Sequence, residues 1–330
     1  MAKHNFWDWI IKVVKAVVFV LVAIVLYRQI IFIFSREHIA VLTSALSERW
    51  WYAAVAVFLF SINYLLEVLK WWVLTHRILG GRSFTRLLEE VFSGAAMAIV
   101  TPNRIGAFVG RMVYFKPEVQ LASVGLNVIG SLSQLLATVV FGLFCVFFIG
   151  SHVLEGVSSQ FAFSQMEFLL IGILVLVFII VTLLTFRPFL RYVKTLIPKK
   201  RKLRWLRTIT SIRSLDNIAI VKVCLISFLR LMVYSSQFLL LILFAGAEVS
   251  WTLGLMVIGF IYFLQSIVPL PSLFTLVLRG ELAIWLFSQY GVDDIAVLLG
   301  SYLIWFVNLG MPALIGLIPL MKYDIKSVYK

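Results

Sequence analysis

Charged side chains interrupt apolar segments of the sequence at a few places where they could bind an anion. Arg104 and Arg111 lie seven residues apart, a spacing that places both on one face of a helix. Thr101 and Pro102 precede them and predict a helix start, where free N–H groups and a following arginine favour an anion. Arg104 is therefore interpreted as a binding residue. Arg111 is interpreted either as a second one or as a side chain that reaches the edge of the apolar segment.

Two further apolar segments contain their own charges. Arg230 lies in the middle of one of them, and Arg279 and Glu281 follow a proline-rich break in the other. Ionisable residues at such positions are costly and mark functional sites by default. Glu281 is a candidate partner for Arg230 or Arg104, with a purely structural ion pair as the alternative. The candidate substrate-binding residues are Thr101, Arg104, Arg111, Arg230, Arg279 and Glu281.

The remaining polar residues are less specific. Glu67 and Lys70 lie towards the end of a long apolar segment and are interpreted as interfacial. Six amide residues either line a path or form hydrogen bonds between helices: Asn63, Asn127, Gln134, Gln237, Gln265 and Asn308. The four histidines are scattered over loops and termini. The sequence therefore predicts no catalytic residue, no metal site and no cofactor.

The composition indicates which elements must position these residues. Hydrophobic residues make up 62% of the 330-residue chain and charged residues 13%, whereas soluble domains carry about 25% charged residues. Because this is too little polar material to cover a water-facing surface, soluble enzymes are excluded. The apolar stretches lack the alternation of an outer-membrane barrel. We therefore expect an all-α polytopic membrane protein.

A helix needs about 20 mostly apolar residues to cross the hydrocarbon core. Six segments meet this length and are predicted as full crossings: 13–34, 50–75, 121–149, 167–186, 218–246 and 295–321. Two more apolar regions, Leu87–Phe115 and Trp251–Phe287, are broken by proline near their middle. The limbs of the first are too short to cross, which favours a re-entrant hairpin. For the second, a re-entrant hairpin and two crossings both remain open.

The distribution of basic residues predicts the orientation. Ten of the 29 lysines and arginines fall in the segment 187–217, and others flank both ends of the chain. Because cytoplasmic loops are enriched in lysine and arginine, this segment and both termini are predicted to be cytoplasmic. The neutral segment around Arg36 and Arg49 is predicted to be an outside loop. The net charge of +14 is thus explained by topology in the inner membrane, without nucleic acid.

Corresponding features recur at a nearly constant spacing, which favours an internal repeat. The helix starts at 50 and 218 differ by 168 residues, the prolines at 102 and 269 by 167, and the last-helix starts at 121 and 295 by 174. The chain is read as a single transmembrane domain, 1–330, with half-repeats at 9–150 and 166–321. Three crossings per half would invert the second half, as in many transporters. Chance spacing is the alternative.

Two stretches resemble the signatures of a known family. Thr101–Arg111 is similar to the Thr-Pro-Gly-Arg-Ile-Gly-Glu signature of the lysylphosphatidylglycerol synthase transmembrane region family, whose members are also called flippase-like. Pro269–Ser272, Arg279–Glu281 and Tyr290–Val292 are similar to its second signature. Asn103 stands where glycine is usual and Ala107 where glutamate is usual, while Ser272 to Thr275 replace glycines of the second signature.

The resemblance implies a module that moves lipids between leaflets. The lipid would carry an anionic or zwitterionic headgroup and be a phospholipid or a polyprenyl-phosphate-linked lipid. The aminoacyl-transferase domain of some members is missing, so lysine transfer and enzymatic activity are not expected. An intramembrane enzyme or accessory subunit acting on polyprenyl-phosphate lipids is one alternative, and a non-transporting scaffold with tightly packed hairpin tips is another. The expected partners are membrane lipids, with homo-oligomer formation left open.

Overall fold

The computed structural model describes residues 36–76, 80–99, 101, 104–161, 215–267 and 272–322, together with isolated positions between 13 and 31 and between 166 and 177. Within these ranges every regular element is helical, as the composition predicts. The predicted crossings 13–34 and 167–186 and the basic segment 187–217 lie largely outside the described residues.

The described helices follow the order that the two halves of the sequence predict. The first group is α1 (Arg36–Glu48), α2 (Trp50–Thr75), α3 (Phe84–Ile99), α4 (Gly106–Met112) and α5 (Pro117–Phe161). The second group is α6 (Asn217–Phe244), α7 (Trp251–Ile267), α8 (Ser272–Ser288), α9 (Asp294–Trp305), a π-helical turn (Phe306–Gly310) and α10 (Met311–Lys322).

Four helices in the described part of the chain are long and apolar enough to cross a membrane. They span Trp50–Thr75, Val119–Phe147, Asn217–Phe244 and Asp294–Lys322, close to four of the six predicted crossings. Large apolar side chains such as Phe58, Phe144 and Ile318 point outward from these helices and are exposed. An outward apolar face of this kind is suited to lipid, so the protein is a multi-pass membrane protein.

Both proline-broken regions are interrupted where the sequence predicts. Helices α3 and α4 have 16 and 7 residues, and α7 and α8 have 17 each. At 1.5 Å per residue, α3 rises about 24 Å and α4 about 10 Å, less than the roughly 30 Å of the hydrocarbon core. We call the α3–α4 and α7–α8 pairs the first and second hairpins.

The segment before α2, predicted as a neutral outside loop, contains helix α1, and its side of the membrane stays a prediction. His38 and Ala45 lie seven residues apart on one face of α1, and both are buried. Burial of one face stabilises the helix although charged residues mark both of its ends.

The first limb of each hairpin packs against the other half. Helix α2 packs along α6, whereas α3 packs against α10 and α7 packs against α5. Glycines bring these helices close: a Cβ on Gly316 would lie 1.9 Å from the carbonyl oxygen of Phe92, and one on Gly142 would lie 2.3 Å from Cβ of Phe263. The first limb of each hairpin therefore rests on the last helix of the other half.

Candidate functional site

The carboxylate of Glu67 on α2 is the centre of a charge cluster between α2, α4 and α6. Its Oε1 lies 2.6 Å from Nη2 of Arg111, and its Oε2 lies 2.6 Å from Nη1 of Arg230 and 2.8 Å from Nζ of Lys70. One acid thus binds three cations, which ties the second limb of the first hairpin to both central helices.

The interpretation of Glu67 and Lys70 as interfacial is wrong. The two residues are one helical turn apart on α2 and therefore share a face, and this face is turned into the bundle. Their exposed fractions are only 7% for Glu67 and 4% for Lys70. Arg111 is also buried here and lies over the ring of Trp71 at 4.9 Å. It does not extend to the edge of the apolar segment, which was its alternative interpretation.

A chain of amides continues from this cluster. Nε of Arg230 donates to Oδ1 of Asn63 at 2.8 Å, and Nδ2 of Asn63 donates to Oδ1 of Asn308 at 2.5 Å. Asn308 donates to Oε1 of Gln237 at 2.7 Å, and Gln237 donates to the Ala56 carbonyl at 2.7 Å. These amides bond helix to helix, and they hold the guanidinium of Arg230 in one orientation.

The π-helical turn around Asn308 belongs to this chain. A π turn shifts carbonyls out of the regular helical ladder. The hydroxyl of Tyr64 on α2 donates to the carbonyl oxygen of Asn308 at 3.0 Å. The sequence of Phe306–Gly310 contains no pattern that predicts this turn.

The start of the second limb differs from the prediction. The limb becomes helical at Gly106, five residues after Thr101. The Gly106 N–H donates to the Thr101 hydroxyl oxygen at 2.7 Å, and the Ala107 N–H donates to the Arg104 carbonyl at 3.0 Å. These two N–H groups are therefore bonded within the hairpin, and the anion site expected at the helix start stays a prediction.

Arg104 lies at the tip of the first hairpin in a left-handed backbone conformation, with φ of 58°. Such a conformation is uncommon for a residue other than glycine and is concentrated at functional sites. The side chain is exposed, and none of its described neighbours forms a hydrogen bond with the guanidinium. It interacts electrostatically with Tyr64, Arg230, Tyr234 and Glu67. Because Tyr64 and Tyr234 stand near the middle of α2 and α6, Arg104 is an open cation at the middle depth of the bundle.

Arg279 on α8 is buried in a polar pocket of the second hairpin. Its Nη1 donates to the Tyr234 hydroxyl at 3.0 Å, and its Nε lies 3.4 Å from Oε1 of Gln265. The ring of Tyr262 lies 5.7 Å from the guanidinium carbon. The exposed fraction of Arg279 is 8%.

The predicted pairing of Glu281 with Arg230 or Arg104 is wrong. Arg230 binds Glu67, and Glu281 is exposed without an ion pair in the described part of the chain. Residues two positions apart in a helix face in nearly opposite directions, so Glu281 points away while Arg279 points inward.

A second buried acid, which the sequence did not single out, lies in the first limb of the first hairpin. Glu90 on α3 forms an ion pair with Arg82 and accepts from Nε1 of Trp71 at 2.7 Å. Arg82 also lies over the ring of Phe115 at 4.0 Å. The i, i+4 spacing of Arg86 and Glu90 was the available signal. Among the described residues, no three His, Cys, Asp or Glu side chains come together as metal ligands would.

Comparison with known proteins assigns the chain to a family. A search of curated proteins found no match. The family model described as the lysylphosphatidylglycerol synthase TM region matches residues 9–316, which include both hairpins and the central helices α2 and α6. The chain therefore belongs to the lysylphosphatidylglycerol synthase transmembrane region family.

Proposed function

We propose that the protein moves a lipid with an anionic or zwitterionic headgroup between the leaflets of the inner membrane. The observation that carries the proposal is the open guanidinium of Arg104 at the tip of the first hairpin. A charge is costly at the middle depth of a membrane, and an anionic headgroup would offset this cost.

The charge balance around Arg104 supports an anionic ligand. Glu67 is already bound to Lys70, Arg111 and Arg230. Glu67 also acts electrostatically on Arg104, so this one described acid faces four cations and their excess positive charge is not neutralised within the cluster. Phosphate matches a planar guanidinium by paired, charge-assisted hydrogen bonds, so a lipid phosphate is the group that this surface favours.

The contacts between the halves support an inverted repeat. The glycines at the crossing points, Gly142 and Gly316, differ by 174 positions. Gln134 and Asn308 are also 174 positions apart. Gln134 donates to the Ser227 carbonyl of α6, and Asn308 accepts from Asn63 of α2. The predicted last-helix starts have the same spacing. Equivalent residues thus make equivalent contacts across the two halves, as a pseudo-two-fold arrangement requires.

The contacts between the halves also limit how they could move during lipid translocation. The first limb of each hairpin is packed against the last helix of the other half, so the halves of the sequence would not rock as separate bodies. Exchange of the headgroup between leaflets would instead shift the hairpin tips relative to α2 and α6.

The exposed side chain of Arg104 favours transport over the scaffold alternative, which requires tightly packed hairpin tips. For an enzyme, a free acid near the site would be needed as general acid or base. Glu67 is held by three cations, and the proposal therefore includes no catalytic step.

The proposal predicts that Arg104→Ala and Arg230→Ala, made separately, each slow lipid translocation about tenfold or more. Loss of a hydrogen bond to a charged group is worth about 1.5–3 kcal/mol, and 1.4 kcal/mol corresponds to a factor of ten. The measurement is the exchange of fluorescent phosphatidylglycerol and phosphatidylethanolamine between leaflets of proteoliposomes that contain the purified protein.

The matched control is Lys222→Ala, which removes an exposed cation from the same helix as Arg230. This variant should translocate lipid at the wild-type rate. If both arginine variants also translocate lipid at the wild-type rate, the proposed function is wrong.

A further inference from the structure

Each half of the protein places a buried arginine from its hairpin against one of the two central helices, α2 or α6. Arg111 bonds Glu67 of α2 at 2.6 Å, and Arg279 bonds Tyr234 of α6 at 3.0 Å. The arginines differ by 168 positions and their partners by 167, the spacing that relates the two halves. The two contacts are therefore equivalent positions of the repeat.

The equivalent positions differ in charge. Arg111 faces a carboxylate, whereas Arg279 faces the neutral hydroxyl of Tyr234 and the neutral amide of Gln265. In the described part of the chain Arg279 forms no ion pair, and its Nη2 donates to no residue. A buried guanidinium without a counter-charge is strongly disfavoured, so the second half lacks the anion that Glu67 supplies in the first.

The surroundings of Arg279 hold further hydrogen-bond donors. The Tyr262 hydroxyl is buried and interacts with the Tyr234 hydroxyl. Tyr234 accepts from Arg279, which leaves its own proton free to be donated. The rings of Tyr234 and Tyr262 stack at 5.2 Å and form one wall of this pocket. A ligand that accepts several hydrogen bonds and carries negative charge would satisfy these groups together.

The polar surroundings of Arg279 lie near Arg104 and Arg230. Tyr234 interacts electrostatically with Arg104, and Arg230 lies one helical turn before Tyr234 on α6. An anion attracted by Arg104 and Arg230 thus comes close to Arg279.

We propose that Arg279, Tyr234 and Tyr262 form an anion subsite that takes a phosphate group. The phosphate provides the negative charge that Glu67 provides at the equivalent position of the first half. This inference rests on the proposed function, because the lipid headgroup is one source of the phosphate. Free inorganic phosphate is the other.

The test installs the missing carboxylate. Tyr234→Glu gives Arg279 a carboxylate partner like that of Arg111. Tyr234→Gln introduces a neutral side chain of the same shape as glutamate. Binding of dodecyl phosphate and of inorganic phosphate to the purified full-length protein is measured by calorimetry in detergent. We expect Tyr234→Glu to bind phosphate about tenfold or more weakly than Tyr234→Gln, since a charge-assisted hydrogen bond is worth at least this factor.

The two probes separate the sources of the phosphate. If Tyr234→Glu binds only dodecyl phosphate more weakly than Tyr234→Gln does, the subsite is assigned to lipid. If it binds both probes more weakly, the subsite is assigned to phosphate as such. Arg279→Lys should retain binding better than Arg279→Gln. The inference is overturned if the two Tyr234 variants bind phosphate equally, or if neither probe binds the wild-type protein.

The outcome is independent of the test of transport. Equal binding by the Tyr234 variants, with translocation lost in Arg104→Ala, would overturn the subsite and leave the proposed function in place. Wild-type translocation by both arginine variants would overturn the proposed function instead.

Discussion

At the scale of single residues, Glu67 has the largest predicted effect on stability. Its carboxylate binds three buried or half-buried cations within 2.8 Å. Removal of one partner from a buried ion pair costs about 3–5 kcal/mol, because the remaining charge stays without compensation. We expect Glu67→Gln to lower the free energy of unfolding by about this amount. The midpoint of thermal unfolding in detergent measures the effect.

Two variants test whether charge is the cause. Glu281→Gln removes an exposed carboxylate with no ion pair in the described residues and should unfold within about 0.5 kcal/mol of wild type. Adding Lys70→Met to Glu67→Gln removes one uncompensated cation and should recover part of the loss. Equal unfolding midpoints for Glu67→Gln and Glu281→Gln would contradict the role given to the cluster.

The sequence identifies most charged residues of the site but not their partners. Arg104, Arg111, Arg230 and Arg279 could be selected because each interrupts an apolar segment. Glu67 was placed at the interface because its depth was judged from α2 alone. Its partners lie 44 and 163 residues away, and only the packing of α2 against α4 and α6 brings them together.

At the scale of helices, the contact between α3 and α10 depends on Gly316. A Cβ at this position would lie 1.9 Å from the Phe92 carbonyl oxygen and 2.4 Å from its carbon. Because both atoms belong to the backbone of α3, the two helices must move apart to accept alanine. We expect Gly316→Ala to destabilise the protein by about 1–3 kcal/mol, as overpacking does in other cores. Thermal unfolding in detergent is again the measurement.

Gly280 on α8 is the matched control, because a Cβ there would meet only the end of the Leu298 side chain, at 3.2 Å. Alanine favours a helix over glycine by about 1 kcal/mol. Gly280→Ala should therefore be neutral or stabilising. If Gly316→Ala is as stable as Gly280→Ala, the close approach of α3 and α10 is not needed for the fold.

Helices are more predictable than the details of their ends. Apolar length predicted the bounds of α2 and α6 to within a few residues, and proline predicted both breaks. The late start of α4 was not predictable, because it depends on the Thr101 hydroxyl binding the Gly106 N–H. The π turn in Phe306–Gly310 likewise depends on contacts with another helix, since Asn308 bonds side chains of α2 and α6.

At the scale of the whole molecule, the packing of each hairpin's first limb against the other half makes the two halves interdependent. Helix α3 of the first half rests on α10, α7 of the second half rests on α5, and α2 packs along α6. The sequence predicted two halves from their spacing, but it could not show this packing, because spacing along one chain does not determine which helices touch. We therefore expect these contacts to hold the halves together without a chain connection between them.

This interdependence predicts how the protein behaves when it is cut. A protease site inserted into 187–217, the segment predicted to be a cytoplasmic loop, should be cleaved in inside-out vesicles and protected in right-side-out ones. After cleavage in detergent, the two fragments should elute together in size-exclusion chromatography and separate only on a denaturing gel. A site inserted at Gly291, in the turn between α8 and α9, is the control for orientation and should be cleaved from the opposite side.

Fragments that separate in detergent would show that the contacts of α3 with α10 and of α7 with α5 are too weak to join the halves. In that case rocking of the two halves as separate bodies would again be compatible with lipid transport.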